Sequence, residues 1–345
     1  MRILHVVINS QGGGAEKTVQ ELHSQLLNLG IESKIACIDP TWNQTPSKNT
    51  SEIVLNPGMR SGIGRILCSV VALNRFLKEF NPEILQLNCE APELVASLSR
   101  WKRYSKHLVI TEHSSAPWKH APNLGLIVRR YLLRKARFTS CAPFNSSAYF
   151  DSTRNVVIPN LLRRLDSLPN IASTQEISGI FIAQRLFPVK RLVNLFEILG
   201  KIKTDLPVIV CGDGPDFSTL KESANKNGIR ADFKGNVPNP WIFYQAGYLY
   251  ISCSEREGNP LSVAEAALCR APMLLSRIQT HLFAVSREIQ TFSTFEDLET
   301  KLSALFQGNI SLDEFRNDQE FTAKLISEYS NSQIISLWRS FYAAL

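Results

Sequence analysis

Nothing in this sequence approaches the ~18 consecutive apolar residues that cross a bilayer, which excludes a helical membrane span. Seven cysteines lie scattered at 37, 68, 89, 141, 211, 253 and 269, with no C-x-x-C pair. That removes the common zinc frameworks and argues against a disulfide scaffold. No two aspartates stand as D-x-D, so no ready pair of carboxylates waits for a divalent cation. The glycines after the first apolar run are not a dinucleotide fingerprint, because counting from Gly12 puts the third glycine position at Lys17. No G-K-[ST] follows either, so the loop is not a P-loop. Acid is scarce between Arg100 and Arg137, where Glu112 stands alone among ten basic residues (Arg100, Lys102, Arg103, Lys106, Lys119, Arg129, Arg130, Arg134, Lys135, Arg137). A patch of that kind attracts anions. Internal repeats and low-complexity tracts are absent.

What is present fits a soluble α/β protein. A chain of 345 residues exceeds the size at which single cores usually stop growing, so two domains are expected. The first apolar run begins at Arg2, which matches no signal-peptide pattern, and with the unpaired cysteines it predicts a reduced cytoplasmic compartment.

The chain is organised around Ser254–Ala266, the segment S-E-R-E-G-N-P-L-S-V-A-E-A. It follows the aromatic and β-branched run Gly247–Cys253, which reads as a buried strand. Gly258 and Asn259 tolerate positive φ and suit a tight turn, and Pro260 favours the first turn of a helix. Glu257 then sits in the loop and Glu265 about a turn into the helix. Both would face the carboxyl end of a parallel sheet, where open α/β folds bind ligands. The amides of Asn259 to Ser262 would form an anion site there. Two carboxylates for hydroxyls beside a helix N-terminus for phosphate fit a nucleotide sugar. Taken alone, the same residues also fit a solvated turn and an ordinary helix.

In chain order, strand Arg2–Ile8 leads through Gly12, Gly13 and Gly14 into an amphipathic helix ending at Gly30. Further strands are predicted at Ser33–Ile38, Ile53–Leu55, Ile84–Leu87, His107–Thr111 and Phe138–Cys141, with a last one in Asn155–Asn160. Residues 39 to 51 read as a loop. His113 follows the fifth strand on the ligand side, where an imidazole can donate to a sugar hydroxyl or a phosphate. Leu124–Arg137 alternates apolar and basic clusters at helical spacing and reads as one amphipathic helix suited to an anionic membrane surface. A polar stretch to Glu176 reads as a linker. Strands Ile177–Ile182, Pro207–Cys211, Ala231–Phe233 and Pro272–Leu275 then restart the alternation, with Arg185 and Lys190 in the first strand-to-helix loop. Those two cations are well placed for a diphosphate.

This order of motifs resembles the retaining GT-B enzymes of glycosyltransferase family 4. The match rests on E-x7-E at Glu257 and Glu265, on Gly12–Gly14, and on His113. It rests also on Arg185 with Lys190, Gly212-Asp213-Gly214-Pro215, and Gly235-Asn236-Val237. The resemblance implies an α/β fold of two Rossmann-like doubly wound domains facing a central cleft. Its expected divisions are an acceptor-side domain at 1–162, a linker at 163–176 and a donor domain at 177–326. A final helical segment, 327–345, is expected to cross back. It implies that Glu265 holds the donor ribose and that Glu257 meets the donor sugar beside the amides of Gly258, Asn259, Pro260 and Leu261. Arg185 and Lys190 would neutralise the diphosphate. Gly212, Asn236 and Val237 would flank the nucleotide, Gly13 and Gly14 would line the site from the other domain, and His113 would touch the sugar or acceptor. Arg270 departs from the family, which has a glycine five residues after the second glutamate.

The expected activity is retaining hexosyl or N-acetylhexosaminyl transfer from a nucleotide-diphosphate sugar, UDP-linked by preference, without cofactor or metal. The acceptor would be a saccharide, lipid-linked in surface polysaccharide, O-antigen or lipopolysaccharide assembly. Arg129, Arg130, Arg134 and Lys135 would meet the membrane or acceptor, making the enzyme peripheral to the inner face of the membrane. A GT-B nucleotide-sugar epimerase is the alternative; His113 alone is thin support for it. A basic nucleic-acid-binding protein is more remote, since no recognition motif accompanies the charge.

Overall fold

A computed structural model of the chain describes residues 1–9, 13–39, 52–56, 62–113, 117–132, 134–142, 155–162, 171 and 174–345. The loop expected at 39–51 lies almost wholly outside the described residues, as do Gly12 and most of the expected linker. The chain divides into two compact units, one of Met1–Arg163 with Tyr329–Leu345, the other of Arg164–Glu328.

Unit 1 runs β1 (Arg2–Val7), α1 (Gly14–Asn28), β2 (Glu32–Cys37), β3 (Glu52–Val54), α2 (Gly62–Phe80), β4 (Ile84–Asn88) and α3 (Glu90–Leu98). It continues with β5 (His107–Glu112), α4 (Pro122–Leu132), β6 (Ala136–Ser140) and β7 (Asn155–Val157). Its strands form one parallel sheet in the order β3-β2-β1-β4-β5-β6-β7. Alternate residues of each strand serve opposite faces. Leu4, Val6, Leu85, Leu87, Leu108 and Ile110 pack on α2, α3 and α4 through Leu73, Leu77, Val95, Val128 and Leu132. Ile3, Ile84 and Val109 face α1 through Leu22 and Leu26.

Unit 2 runs β8 (Gly179–Ala183), α5 (Leu192–Lys201), β9 (Val208–Cys211), α6 (Phe217–Lys226), β10 (Ala231–Gly235), β11 (Tyr248–Ser252) and α7 (Leu261–Leu268). After these come β12 (Met273–Ser276), α8 (Gln279–Leu282), β13 (Thr291–Phe292), α9 (Phe295–Phe306) and α10 (Gln319–Glu328). The parallel order is β10-β9-β8-β11-β12-β13. One face packs Ile180, Ile182, Val210 and Ile251 on α5, α6 and α9. On the other face Phe181 meets Trp241, Tyr244 and Tyr250 at ring-centroid distances of 5.3, 5.4 and 6.3 Å.

The last helix, α11 (Asn331–Ala343), returns to unit 1 and lays Ile334, Ile335, Trp338 and Phe341 on the α1 face of the first sheet. There a polar row lies buried in the apolar layer. Gln86 Nε2 and Thr139 Oγ1 both donate to Thr111 Oγ1, at 2.7 and 2.9 Å, and the Tyr342 hydroxyl donates to Gln86 Oε1.

The helix read at Leu124–Arg137 is corrected. It ends at Leu132, and β6 begins at Ala136, so Arg134 and Lys135 stand in an exposed turn and Arg137 on a strand. The short helix read at Trp241–Gln245 is a 3-10 turn at Pro240–Phe243. Two residues of β13 were not anticipated, since a pair leaves no periodicity to read.

Candidate functional site

In a doubly wound sheet the ligand crevice opens where the strand order reverses, at the carboxyl ends of the two strands that part there. The orders above put that reversal between β1 and β4 in unit 1 and between β8 and β11 in unit 2. The loops singled out from sequence follow three of those four strands.

In unit 2, the loop after β8 is stitched to the loop after β11. Glu255 N donates to Val189 O at 2.9 Å, and Arg191 Nε to Cys253 O at 2.8 Å. Arg191 takes a positive φ of 52° to start α5, which turns its side chain back onto the Ser254 carbonyl as well, at 3.3 Å. This stitching sets Lys190 Nζ on Glu257 Oε1, and Ser254 Oγ donates to the same oxygen at 2.6 Å. Both charged side chains are nearly buried, at 11% and 13% exposure. Burial alone would push the Glu257 carboxyl up, but Lys190, then Ser254 and His281, override it and hold it below the usual carboxylate range. His281 lies beneath, its Nδ1 donating to the Ser276 carbonyl at 2.8 Å, and burial pushes it down to about 4.

Arg185 stays out of this cluster. It is exposed, with its guanidinium 5.3 Å from the centroid of the Phe187 ring, and pairs with no carboxylate among the described residues. Of the two predicted cations, one is committed and one is open.

Glu265 sits on the other flank of Tyr250, accepting from Trp241 Nε1 at 2.8 Å. Burial, with the nearby charges of Glu257 and Glu265, keeps the Tyr250 hydroxyl protonated, so that hydroxyl donates to Ser262 Oγ at 3.0 Å. The turn between the glutamates corrects the expectation in two details. Neither Gly258 nor Asn259 takes a positive φ, and Pro260 is the N-cap of α7 (φ −74°, ψ 103°) with the helix starting at Leu261. The first helical bonds run from Val263 N and Ala264 N to Pro260 O, which leaves the amides of Leu261 and Ser262 outside the ladder.

Gly212 and Gly214 are glycines for packing reasons. Their φ values are 151° and 157°, and a Cβ would stand 1.8 Å from the Gln184 carbonyl at the first and 2.2 Å from the Leu186 carbonyl at the second. Gly212 N in turn donates to Gly235 O at 2.7 Å, which brings exposed Asn236 and half-buried Val237 alongside. Arg270, the departure from the family, holds the positive φ of 55° where a glycine ordinarily ends a helix. Its carbonyl accepts from Arg316 Nη1 at 2.6 Å, so the helix end is kept by a neighbour instead of by a glycine.

In unit 1, Gly13 is the N-cap of α1 and Gly14 its first residue, directly after β1. Across the reversal, β4 ends at Asn88, and Cys89 turns the chain with a φ of 72° to begin α3. His113 directly follows β5 as expected, with Nε2 3.1 Å from Asn88 Oδ1. Burial pushes the imidazole down to about 4, the Asn160 amide offsetting part of the fall, so it is neutral at pH 7. Asn88, Cys89 and Asn160 were not found from sequence. A polar residue closing the apolar run Ile84–Leu87 was the available signal.

Arg129 is the clear failure among the residues assigned to the membrane. It is buried at 1% exposure, with Nε and Nη2 on the two Glu93 oxygens at 2.8 and 2.7 Å and Nη2 also on Glu112 Oε2 at 2.6 Å. Trp118 Nε1 donates to Glu93 Oε2 at 3.0 Å, and the ring fits beneath α4 because Gly125 has no Cβ, which would stand 2.3 Å from Trp118 Cγ. Arg130, Arg134 and Lys135 are exposed as expected.

Two family profiles match the chain: Glycosyltransferase Family 4 over residues 12–161 and Glycosyl transferases group 1 over 171–308. No curated protein matches it in sequence. Among solved structures, Anabaena HepE in complex with UDP-glucose is similar with a TM-score of 0.80 at 16% identity, covering 100% of both chains. Sucrose-phosphate synthase from Thermosynechococcus elongatus gives 0.78 at 16% identity, again over 100% of both. The apo lipopolysaccharide outer core galactosyltransferase WaaB gives 0.73 at 16% over the same full coverage. The shared architecture is GT-B.

Proposed function

The chain belongs to the GT-B glycosyltransferases of family 4 type, and we propose that it transfers a hexose or N-acetylhexosamine from a UDP-sugar, with retention, to a lipid-linked saccharide. The observation that carries this reading is the junction of the β8 and β11 loops, where Lys190, Ser254 and Glu257 share one carboxylate oxygen while Arg185 stays open. A diphosphate arriving beside Lys190 meets fixed positive charge and the free amides of Leu261 and Ser262, which stabilise the leaving group electrostatically. Glu257, held ionised, accepts hydroxyls of the donor sugar, and Glu265 those of the ribose. Neither glutamate needs to titrate near neutral pH. Retention follows if the acceptor attacks from the face the leaving group departs, the phosphate oxygen taking the proton. These cations supply the compensating charge, so the reaction proceeds without a divalent metal. The UDP-glucose held by HepE supports the choice of base.

The lipid-linked acceptor is supported by one surface of unit 1. Helix α3 packs between α2 and α4. Helix α2 exposes Ile63, Leu67 and Val71 at 79%, 56% and 70%, and α4 exposes Leu124, Leu126, Ile127 and Tyr131. Lys102, Arg103, Arg130, Arg134 and Lys135 are exposed around them. Apolar side chains with a basic border suit an anionic inner-leaflet surface, as surface-polysaccharide or lipopolysaccharide assembly requires. No helix among the described residues is long and apolar enough to cross a membrane.

A thermal-shift panel of UDP-, GDP- and dTDP-sugars tests the donor, since a ligand that binds only the folded state raises its melting point. A rise with a UDP-sugar is expected, and no rise with any sugar nucleotide overturns the donor site. Sedimentation with anionic and neutral liposomes tests the surface, and equal binding to both removes the membrane argument.

A further inference from the structure

Asn88 lies buried at the end of β4, on the reversal of the first sheet, and nothing above gives it a task. Its amide is oriented by a neighbour that leaves no choice. The group 3.3 Å away is the Val6 carbonyl, which only accepts, so the nitrogen of Asn88 must point there. The oxygen therefore faces His113 Nε2 at 3.1 Å, and an oxygen facing a ring nitrogen requires that nitrogen to carry the proton. The other ring nitrogen, Nδ1, is buried and makes no hydrogen bond of normal distance and angle, the Asn160 side chain that offsets part of the effect of burial on the ring standing outside that geometry.

We infer that Asn88 is a positioning residue that locks His113 in the Nε2–H form, so that His113 Nδ1 presents a bare lone pair and accepts a hydrogen bond from a sugar hydroxyl. This reverses the polarity assumed from sequence, in which His113 donates. It also excludes a phosphate as the partner, because an ionised phosphate brings acceptors to an acceptor. The neutral state agrees with the ring's burial, which keeps it from taking a second proton at pH 7. The inference rests on the proposed function only for the identity of the hydroxyl.

Two measurements test it. The first is long-range ¹⁵N–¹H NMR on protein labelled at its six histidines, with His113 assigned by loss of its signals in His113→Gln. A neutral ring with the proton on Nε2 is expected at pH 7. A proton on Nδ1, or on both nitrogens, overturns the inference whatever the enzyme's substrate. The second is Asn88→Asp, which puts a carboxylate against Nε2, favours the imidazolium and fills Nδ1 with a proton. Its kcat/KM is expected to be about tenfold below the parent near pH 6 and to recover by about pH 9, the worth of one hydrogen bond lost with the acceptor. The parent should vary little across that range, and a variant profile parallel to the parent's overturns the role. Failure of both proteins to transfer any sugar, with the Nε2–H form observed, would overturn the proposed function and leave the tautomer standing.

Discussion

Unit 2 sets Lys190 against Glu257 at its reversal point, and unit 1 sets Asn88 against His113 at the end of β4. The first pair is two full charges, the second two dipoles. Unit 1 has charges to spend, but it buries them in Glu93, Arg129 and Glu112, where two carboxylates enclose one guanidinium. The contrast fits a division of labour. A leaving diphosphate needs fixed charge, because that interaction strengthens as the bond breaks. A neutral hydroxyl needs a fixed acceptor that does not change protonation near pH 7.

The largest expected effect breaks the charged side. Lys190→Ala and Glu265→Ala should each lower kcat by about a thousandfold or more, with circular dichroism still that of a folded protein. Near-normal turnover in either would sink the assignment of unit 2 as the donor side. Next comes the buried trio. Arg129→Met strands two buried carboxylates and should cost about 3–5 kcal/mol of stability, read in calorimetry as a lowered melting point for unit 1. Liposome binding of the folded Arg129→Met protein should be unchanged, whereas reversing Arg130, Arg134 and Lys135 to glutamate should abolish it. An Arg129→Met protein that melts normally would mean the trio is not the internal fastening described here.

Acid separates the units more gently. Burial holds His5 at about 3 and His113 at about 4, against an ordinary 6.5, and lowers His23 as well. Their folded values are depressed, so the unfolded chain takes up protons first as the pH falls below 6.5. Stability is therefore lost from about pH 6.5 downward, by up to about 1.4 kcal/mol per pH unit for each such group. Unit 2 has one comparable histidine, His281 at about 4, and Glu257 adds its own loss only lower, in the carboxylate range. Calorimetry from pH 7 to 5 should show the unit 1 transition falling about two to three times as steeply, and His5→Phe should narrow the gap. Parallel shifts would remove this asymmetry. The smallest expected effect is none: EDTA should leave transfer intact. Loss of activity restored by Mg²⁺ or Mn²⁺ would show that Lys190 and Arg185 do not suffice for the diphosphate.

Much of this was legible from residues because apolar runs bounded by glycine and proline mark strand ends, and strand ends in parallel sheets are where ligands go. The positions of Gly13, His113, Lys190 and Glu257 in the segments that follow strand ends are legible in that way. Arg129 was misread for the same reason that local reading succeeds elsewhere. A helical pattern treats every charge as facing water, while its partners Glu93 and Glu112 lie 36 and 17 residues away. Asn88 escaped notice because its meaning depends on Val6 and His113, 82 and 25 residues distant. Arg270 stands out in the sequence only as a departure from the family's glycine, and the hydrogen bond by which Arg316 holds its carbonyl comes from 46 residues away.

The return of α11 to the first sheet has a consequence for synthesis on the ribosome. Ile3, Ile84 and Val109 are complete as a surface long before Trp338 and Tyr342, which cover them, exist. All of unit 2 must be translated in between, an interval of roughly ten to thirty seconds at ordinary elongation rates. During that time unit 1 holds an apolar face covered only in part, by Leu22 and Leu26 of α1, with Gln86 lacking its Tyr342 partner. The nascent chain is therefore a natural client for a chaperone until α11 emerges.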